Sequence, residues 1–273
     1  MRTRFGFLSE GGFPTTSVSL LLRVASPDEQ IARLARLIVE NQPCLALTGA
    51  GVSTESGIPD FRSPSGLWAE FDPLEYGSIE AFHADPEKVW RFYAPRFSML
   101  TGAEPNAAHV ALAELERRGL LMAVVTQNID LLHVRAGSQE VVEVHGSIAT
   151  SSCPRCGVRY TLAQVLPLVE AGVPTCGACG AVLKPDVVFF GELLPPRAIE
   201  RAFSLAREAR LLLVVGSSLE VHPVAGLPLE TLGAGGALAI VNRGPTPLDD
   251  RAEVRIDGSA GEVLAALAAA ISI

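Results

Sequence analysis

At 273 residues, 48% hydrophobic and 19% charged, the chain is globular in composition and long enough for one large core, or one core with a small satellite. A formal net charge of −8 argues against a nucleic-acid coat and leaves room for a basic protein partner. No apolar run approaches the roughly 20 residues of a bilayer span, so the sequence predicts a soluble protein without a membrane partner.

Residues 1–26 carry Arg2, Arg4 and Arg23, several Ser and Thr, and the short apolar run Val18–Leu22. That is the content of a weak transit or signal peptide, but no small-residue cleavage site follows. The stretch reads as an N-terminal extension outside the fold. From Pro27 to Glu40, apolar residues recur at Ile31, Leu34, Ala35 and Ile38, the spacing of an amphipathic helix, with Ser26 as N-cap and proline at the first helical position. Apolar strands are then expected at Cys44–Leu47, Leu121–Thr126, Val141–Val144, Val187–Phe190, Leu211–Val215 and Ala237–Val241. Helices are expected at Ala107–Arg118, Pro196–Glu208 and Gly261–Ala270. Strands that are apolar throughout, alternating with helices, predict an α/β fold with a doubly wound, Rossmann-like parallel sheet. Two segments break the rhythm. Ser63–Glu104, rich in proline and aromatics, reads as loop plus short helices, and Ser147–Leu183 holds four of the five cysteines. Together they predict a second, smaller domain. The division is 27–64, 105–146 and 184–273 for the sheet, and 65–104 with 147–183 for the smaller unit.

The most telling stretch is TGAGVSTESGIPDFR, Thr48 to Arg62, directly after the first strand. Gly49, Ala50 and Gly51 let a backbone approach a diphosphate, where main-chain N–H groups and a following helix N-terminus meet the charge. The usual dinucleotide fingerprint would need glycine at Thr54 and an acidic residue roughly 20 positions on, and neither is there. Ser53, the turn Gly57–Ile58–Pro59, and Asp60, Phe61 and Arg62 stand instead. That loop has little use in a dehydrogenase and suits a protein that consumes the dinucleotide by chemistry at its ribose.

Cys153-Pro-Arg-Cys156 and Cys176-Gly-Ala-Cys179, nineteen residues apart and each followed by glycine, fit a tetrahedral four-thiolate zinc site; two disulfides are the alternative. A closed shell of four cysteines makes such zinc structural, and paired free thiols point to a reducing compartment, the cytoplasm. Cys44 reads as a small core residue. His145, at the end of the strand Val141–Val144, is either a satisfied strand-end residue or a general base at the mouth of a cleft. Gln127, Asn128 and Asp130 leave another strand and could cap a helix or bind a carboxamide and ribose hydroxyls. Gly216, Ser217, Ser218 and Asn242 carry the same ambiguity.

Taken together, these segments resemble the sirtuins, NAD-dependent protein-lysine deacylases, from about Pro27 to the C-terminus. The resemblance rests on GAGVSTESGIPDFR, TQNID, VHG, the two CxxC pairs, VVFFGE, GSSLEV and VNRG, in that order, and is closest to the compact bacterial and archaeal members. It implies that NAD is consumed as co-substrate, that one structural zinc is bound, and that His145 and Asn128 are catalytic. By the same resemblance Gly49, Ala50, Gly51 and Ser53 would cradle the diphosphate. Thr54, Asp60, Phe61 and Arg62 would form the cofactor loop, with Phe61 shielding the reacting ribose. Gln127 would hold that ribose, and Asn128, Ile129 and Asp130 the nicotinamide. Gly216, Ser217, Ser218, Asn242, Arg243 and Ala260 would line the adenosine end. Val188 and Phe190 would wall an acyl-lysine tunnel, while Gly191, Glu192, Leu193, Leu219 and Val221 would pair with the substrate peptide as an added strand.

The activity so implied is transfer of an acyl group from lysine to ADP-ribose with release of nicotinamide, by a monomer. The rivals are a desuccinylase or other deacylase, a mono-ADP-ribosyltransferase, and a non-catalytic module whose zinc segment binds nucleic acid; the acidic charge and few basic residues argue against the last. Tyr93 and Arg96 form a Tyr-x-x-Arg pair that in desuccinylating sirtuins binds the acyl carboxylate. Pro95 between them cannot donate a backbone hydrogen bond, so the helix is expected to begin or kink there, and acetyl is expected over succinyl.

Overall fold

The computed structural model describes residues 26–61, 63 and 66–271; the stretch 1–25 and the cofactor-loop candidate Arg62 lie outside the described residues. The first helix, Pro27–Glu40, starts at Ser26 through a capping box: the Ser26 hydroxyl accepts the Glu29 N–H, and the Glu29 carboxylate accepts the Ser26 N–H. Leu34, Ala35, Leu37 and Ile38 form its buried stripe.

Among the described residues nine strands follow: β1 Cys44–Thr48, β2 Leu121–Thr126, β3 Val141–Glu143, β4 Gly146–Ser152, β5 Arg159–Thr161, β6 Lys184–Val187, β7 Leu211–Val215, β8 Ala237–Val241 and β9 Val254–Ile256. Six of them form one parallel sheet in the order β3-β2-β1-β7-β8-β9. Successive side chains point to opposite faces, so each apolar strand feeds two cores. Cys44, Ala46, Leu211, Leu213, Ala237 and Ala239 pack with helices Pro27–Glu40, Ala107–Arg117 and Ala260–Ala270. Leu45, Leu47, Leu212, Val214, Leu238 and Ile240 pack on the other face with Pro196–Glu208 and Leu227–Gly233. This is the doubly wound arrangement the alternating strands and helices predict. Among the described residues, no helix is long and apolar enough to cross a membrane.

The small antiparallel sheet, in the order β5-β4-β6, lies with helices Pro86–Gly102 and Leu162–Ala171 around a third core of Phe82, Trp90, Phe97, Ile148, Val165, Leu183 and Phe189. The Trp90 indole ties the long helix to this sheet by donating to the Leu183 carbonyl at 2.6 Å.

Two expectations change, and the large sheet has one strand that was not expected. Val187–Phe190 is not a strand: only Val187 belongs to β6, and Val188–Phe190 is loop backbone bonded to neighbours on two sides. Val187 and Phe189 are buried in the third core, while Val188 is half-buried and Phe190 exposed. Helix Pro86–Gly102 runs through Pro95 without ending. Pro95 and Arg91, whose carbonyl loses its partner, both face solvent, so water can satisfy that carbonyl. Strand β9, three residues flanked by charges, was too short to stand out in the sequence.

The strand order reverses between β1 and β7, which stay paired to their carboxyl ends at Thr48 and Val215, and the crevice of such a sheet lies just beyond this switch point. Here the turns leaving the two strands touch main chain to main chain. Gly51 N–H donates to the Gly216 carbonyl at 2.9 Å, and Gly49 N–H to the Val215 carbonyl at 3.2 Å. Gly216 has φ +61°, and a Cβ there would stand 2.3 Å from the Val52 nitrogen. Gly216→Ala is therefore expected to cost about 1–3 kcal/mol through overpacking, read as a lower urea midpoint at unchanged slope. A wild-type midpoint would mean that the two turns part freely.

Candidate active site

The strand exits of the large sheet bring most of the expected residues to this crevice. After β1 the chain forms a seven-residue 3-10 stretch, Ala50–Ser56, instead of an α-helix, so any anion there would meet loop N–H groups and not a helix end. Thr54 is exposed and its hydroxyl donates to the Gly51 carbonyl at 3.0 Å; the Asp60 carboxylate accepts the Ser63 N–H at 2.8 Å. After β2, the Gln127 carboxamide donates to the Ser217 hydroxyl, which lies beyond β7, at 3.0 Å. At the β8 exit, the Asn242 amide closes its own turn on the carbonyls of Arg243 and Gly244. Ala260 opens the last helix, which is tied back to the crevice by the Glu55 carboxylate accepting from Ser259 and the Gly261 N–H at 2.6 and 2.8 Å.

His145 stands between β3 and β4, with its Nδ1 3.0 Å from the Gln127 carbonyl oxygen. A carbonyl only accepts, so in the neutral ring the proton sits on Nδ1 and the basic lone pair on Nε2. That fixes both tautomer and ring orientation. Its own carbonyl accepts the Val188 N–H at 2.8 Å, joining the histidine to the segment that follows β6.

Behind the crevice lies a buried polar cluster that sequence reasoning found only in part. Ser53 is 1% exposed; its hydroxyl donates to Asp130 Oδ2 at 2.7 Å and accepts from the Asn128 amide at 3.0 Å. With the hydroxyl so engaged, Ser53 can offer a diphosphate only its main chain. His109 Nε2 lies 3.4 Å from the same hydroxyl, and Asn106 holds its other nitrogen. The His133 ring packs 4.8 Å from that of His109, and its Nε2 is 2.9 Å from the Thr48 hydroxyl. Thr48 in turn donates to Thr126, which accepts the Asn128 N–H at 3.1 Å. Burial pushes His109 down to about 4 and His133 to about 3, so both are neutral at physiological pH. Neither histidine stands out among the motifs of the sequence; for His109 the signal is its place within the apolar run of the helix Ala107–Arg117, where only a bonded, uncharged ring can sit.

On the outer side an aromatic group continues the crevice. Phe61 stacks on Trp68 at 5.7 Å, and Trp68 meets Phe190 edge-on at 6.1 Å. Tyr93 stacks on Phe189, and the Arg96 guanidinium lies 3.6 Å over the Phe92 ring and donates to the Phe92 carbonyl. Because the helix is unbroken at Pro95, Tyr93 and Arg96 lie one turn apart on it, both half-buried. Val188 is half-buried and Leu193 fully exposed, while the Glu192 carboxylate turns inward to Lys184 at 2.9 Å. Ile129 is half-buried beside Asn128, Ser218 donates to Glu220, and Leu219 is buried with φ +56°, next to the half-buried Val221.

The four ribbon cysteines converge, each offering a sulfur within 4.8 Å of the others. Two congruent turns present them: Gly157 N–H donates to the Cys153 carbonyl at 2.9 Å, and Gly180 N–H to the Cys176 carbonyl at 2.8 Å. The Cys153–Cys179 and Cys156–Cys176 sulfurs are 3.4 and 3.6 Å apart. A disulfide would need about 2.05 Å. A zinc ion with sulfurs at about 2.3 Å sets them about 3.8 Å apart, so the set fits a closed tetrahedral zinc shell. Among the described residues no other such cluster forms.

A switch-point crevice with glycine turns, an oriented imidazole and a four-thiolate ribbon beside it defines an α/β protein built to act on a dinucleotide. Residues 49–223 match the Sir2 family. The chain is 45% identical over 236 residues to NAD-dependent protein deacetylase 1 of Pyrobaculum aerophilum, covering 86% of this chain and 92% of that protein. It is 44% identical over 232 residues to NAD-dependent protein deacylase 1 of Archaeoglobus fulgidus, covering 85% and 94%. A solved Sir2 enzyme with a deacetylated p53 peptide and 3′-O-acetyl ADP-ribose superimposes with a TM-score of 0.83 at 42% identity, covering 87% of this chain and 96% of that one. This chain belongs to the Sir2 family.

Cys176→Ala leaves three thiolates and an open shell, so the purified variant should lose its zinc and show lower thermal stability of the ribbon. Metal analysis that finds no zinc in wild-type protein kept under reducing conditions would refute the assignment.

Proposed function

We propose that this protein is an NAD-dependent protein-lysine deacetylase that moves an acetyl group from lysine to ADP-ribose and releases nicotinamide. The observation that carries the reading is His145, held in the tautomer that leaves Nε2 basic by the carbonyl of Gln127, which stands on the loop that also carries Asn128 and Asp130. The names of the relatives and the acetylated ADP-ribose in the solved relative support the same chemistry.

An amide oxygen is a weak nucleophile. It attacks the ribose carbon only as the nicotinamide bond breaks, with the forming cation kept from water. The apolar rim of Phe61, Trp68 and Phe190 supports that shielding, and Asn128 and Ile129 would face the leaving nicotinamide. His145 Nε2 then takes the proton of a ribose hydroxyl, which attacks the imidate carbon and carries the acetyl group away. One water is consumed, and the lysine amine is freed. We assign the diphosphate to the main chain of Gly49, Ala50, Gly51 and Ser53, and the adenosine end to Gly216, Ser217, Ser218, Asn242, Arg243 and Ala260. Thr54, Asp60 and Arg62 join Phe61 in the cofactor loop, Gln127 takes the reacting ribose, and Asp130 anchors the nicotinamide pocket through Ser53. Val188 joins Phe190 in the tunnel wall, and Gly191 to Leu193 with Leu219 to Val221 take the peptide backbone. A four-cysteine zinc site, which needs its sulfurs reduced, favours the cytoplasm as its place of work. The chain divides at 27–64, 105–146 and 184–273 against 65–104 and 147–183, with β6 bonded into the small sheet although its position counts it with the larger unit.

His145→Ala is expected to lower turnover about 10²–10⁴-fold while NAD affinity stays within a few-fold. Parental rates of nicotinamide release from NAD and acetylated peptide would leave His145 a strand-end residue only.

A desuccinylase is the second reading, favoured by Tyr93 and Arg96 sharing one unbroken helix. Among the described residues no carboxylate forms an ion pair with Arg96. Against it, the guanidinium is already stacked on Phe92 and bonded to its carbonyl. The kcat/KM for an acetylated peptide should exceed that for its succinylated twin, and Arg96→Met should leave deacetylation nearly unchanged. A succinyl preference abolished by Arg96→Met would reverse the order of the two readings.

A further inference from the structure

The wall segment 188–193 belongs to no helix or strand, yet its geometry must be held if acyl-lysine is to lie against it. Its near end is bonded on both sides: Val188 N–H to the His145 carbonyl and Phe190 N–H to the Gly77 carbonyl, each at 2.8 Å, with the Phe190 carbonyl accepting the Ile79 N–H at 2.9 Å. Its far end closes on itself. Glu192 N–H donates to the Phe189 carbonyl at 3.0 Å, and the Glu192 carboxylate accepts the Phe189 N–H at 2.8 Å.

A carboxylate bent back onto its own turn needs a counter-charge, and Lys184 supplies it. Its ammonium is 2.9 Å from Glu192 Oε2, donates to the Val187 and Pro185 carbonyls at 2.9 and 3.2 Å, and stands 4.4 Å from the centroid of the Phe189 ring. The two side chains are 17% and 25% exposed, against 39% and 49% for the surface pair Lys88–Glu75. Exposed pairs hold little, but a pair this withdrawn from water leaves an uncompensated charge when one partner goes. Lys184 also opens β6, opposite Ser152 in β4, so its backbone is fixed before its side chain reaches the turn.

We infer that Lys184 is a positioning residue for acyl-lysine recognition: through Glu192 it fixes the segment 188–193, and so sets affinity for the substrate chain. This rests on the deacetylase reading. Lys184 stands outside the buried polar cluster at the nicotinamide end, so its loss should act on the peptide and not on NAD or the base.

The test compares wild type, Lys184→Met, Lys184→Arg and the double variant Lys184→Met/Glu192→Gln. For each, kcat, KM for an acetyl-lysine peptide, NAD affinity, zinc content and binding of a fluorescent acetyl-lysine peptide are measured. Lys184→Met should raise KM and weaken peptide binding about 10–100-fold, the worth of a charged hydrogen-bonded contact, with kcat, NAD affinity and zinc held within about threefold. Lys184→Arg should recover most of the loss, and the double variant should lose little more than Lys184→Met alone. Unchanged peptide KM in Lys184→Met overturns the inference. So does a parallel fall of kcat, NAD affinity and zinc, which would mark a purely structural lysine. Wild-type protein that neither binds nor turns over the peptide would instead overturn the deacetylase reading itself.

Discussion

Main-chain contact between the turns leaving β1 and β7 is the constraint from which the crevice follows. Parallel neighbours whose connections run to opposite sides of the sheet would ordinarily splay at their carboxyl ends. Here Gly51 and Gly216 close to hydrogen-bond distance with no side chain between them. That contact winds the chain after β1 into the tight 3-10 stretch, and the stretch buries Ser53 under the floor of the crevice. Glycine at these positions therefore serves the protein's own packing as much as any approach of a ligand.

With Ser53 so placed, the floor becomes a polar layer in an otherwise apolar sheet protein. Two chains of hydrogen bonds converge on Asn128: Ser53 reaches its side-chain amide, and Thr48 with Thr126 reaches its N–H. Behind each stands a buried histidine with its charge suppressed. A layer of this kind is costly unless its members are paired, and where it is paired it holds one geometry. The strained backbone nearby agrees: Leu131, three residues on, sits at φ +65°, a conformation that a non-glycine residue keeps only where its surroundings impose it.

The strands of the sheet and the helices Pro27–Glu40 and Pro86–Gly102 were legible to different degrees. Continuous apolar runs such as Leu211–Val215 and Ala237–Val241 appear in the sequence with their observed bounds, because a strand buried on both faces tolerates nothing else. Val187–Phe190 looked the same, yet the strand ends at Val187, and of the three residues beyond it only Phe189 is buried in the third core. Pro95 misled in the opposite direction: a helix tolerates proline where the freed carbonyl faces water, and exposure cannot be read from one residue. In the site, the cysteine spacing and His145 were visible as local patterns. The partners of His109 and His133 were not, because these rings pair across about 50 to 85 positions of chain with Ser53 and Thr48.

Strands β4 and β6 form a pair of rails between the ribbon and the crevice. One rail starts just after His145 and ends just before Cys153; the other starts just after Leu183 and ends just before Val188. Their register is pinned at Gly146–Val187 and Ser152–Lys184. Added or lost residues within either rail would shift the imidazole against the wall segment. Between Cys156 and Cys176 the chain is no free loop: β5 pairs with β4, and Val165 of helix Leu162–Ala171 is buried in the third core. The exposed helix end at Ala171 and Gly172 is therefore the place where this scaffold can accept a grafted segment without disturbing either the rails or the third core.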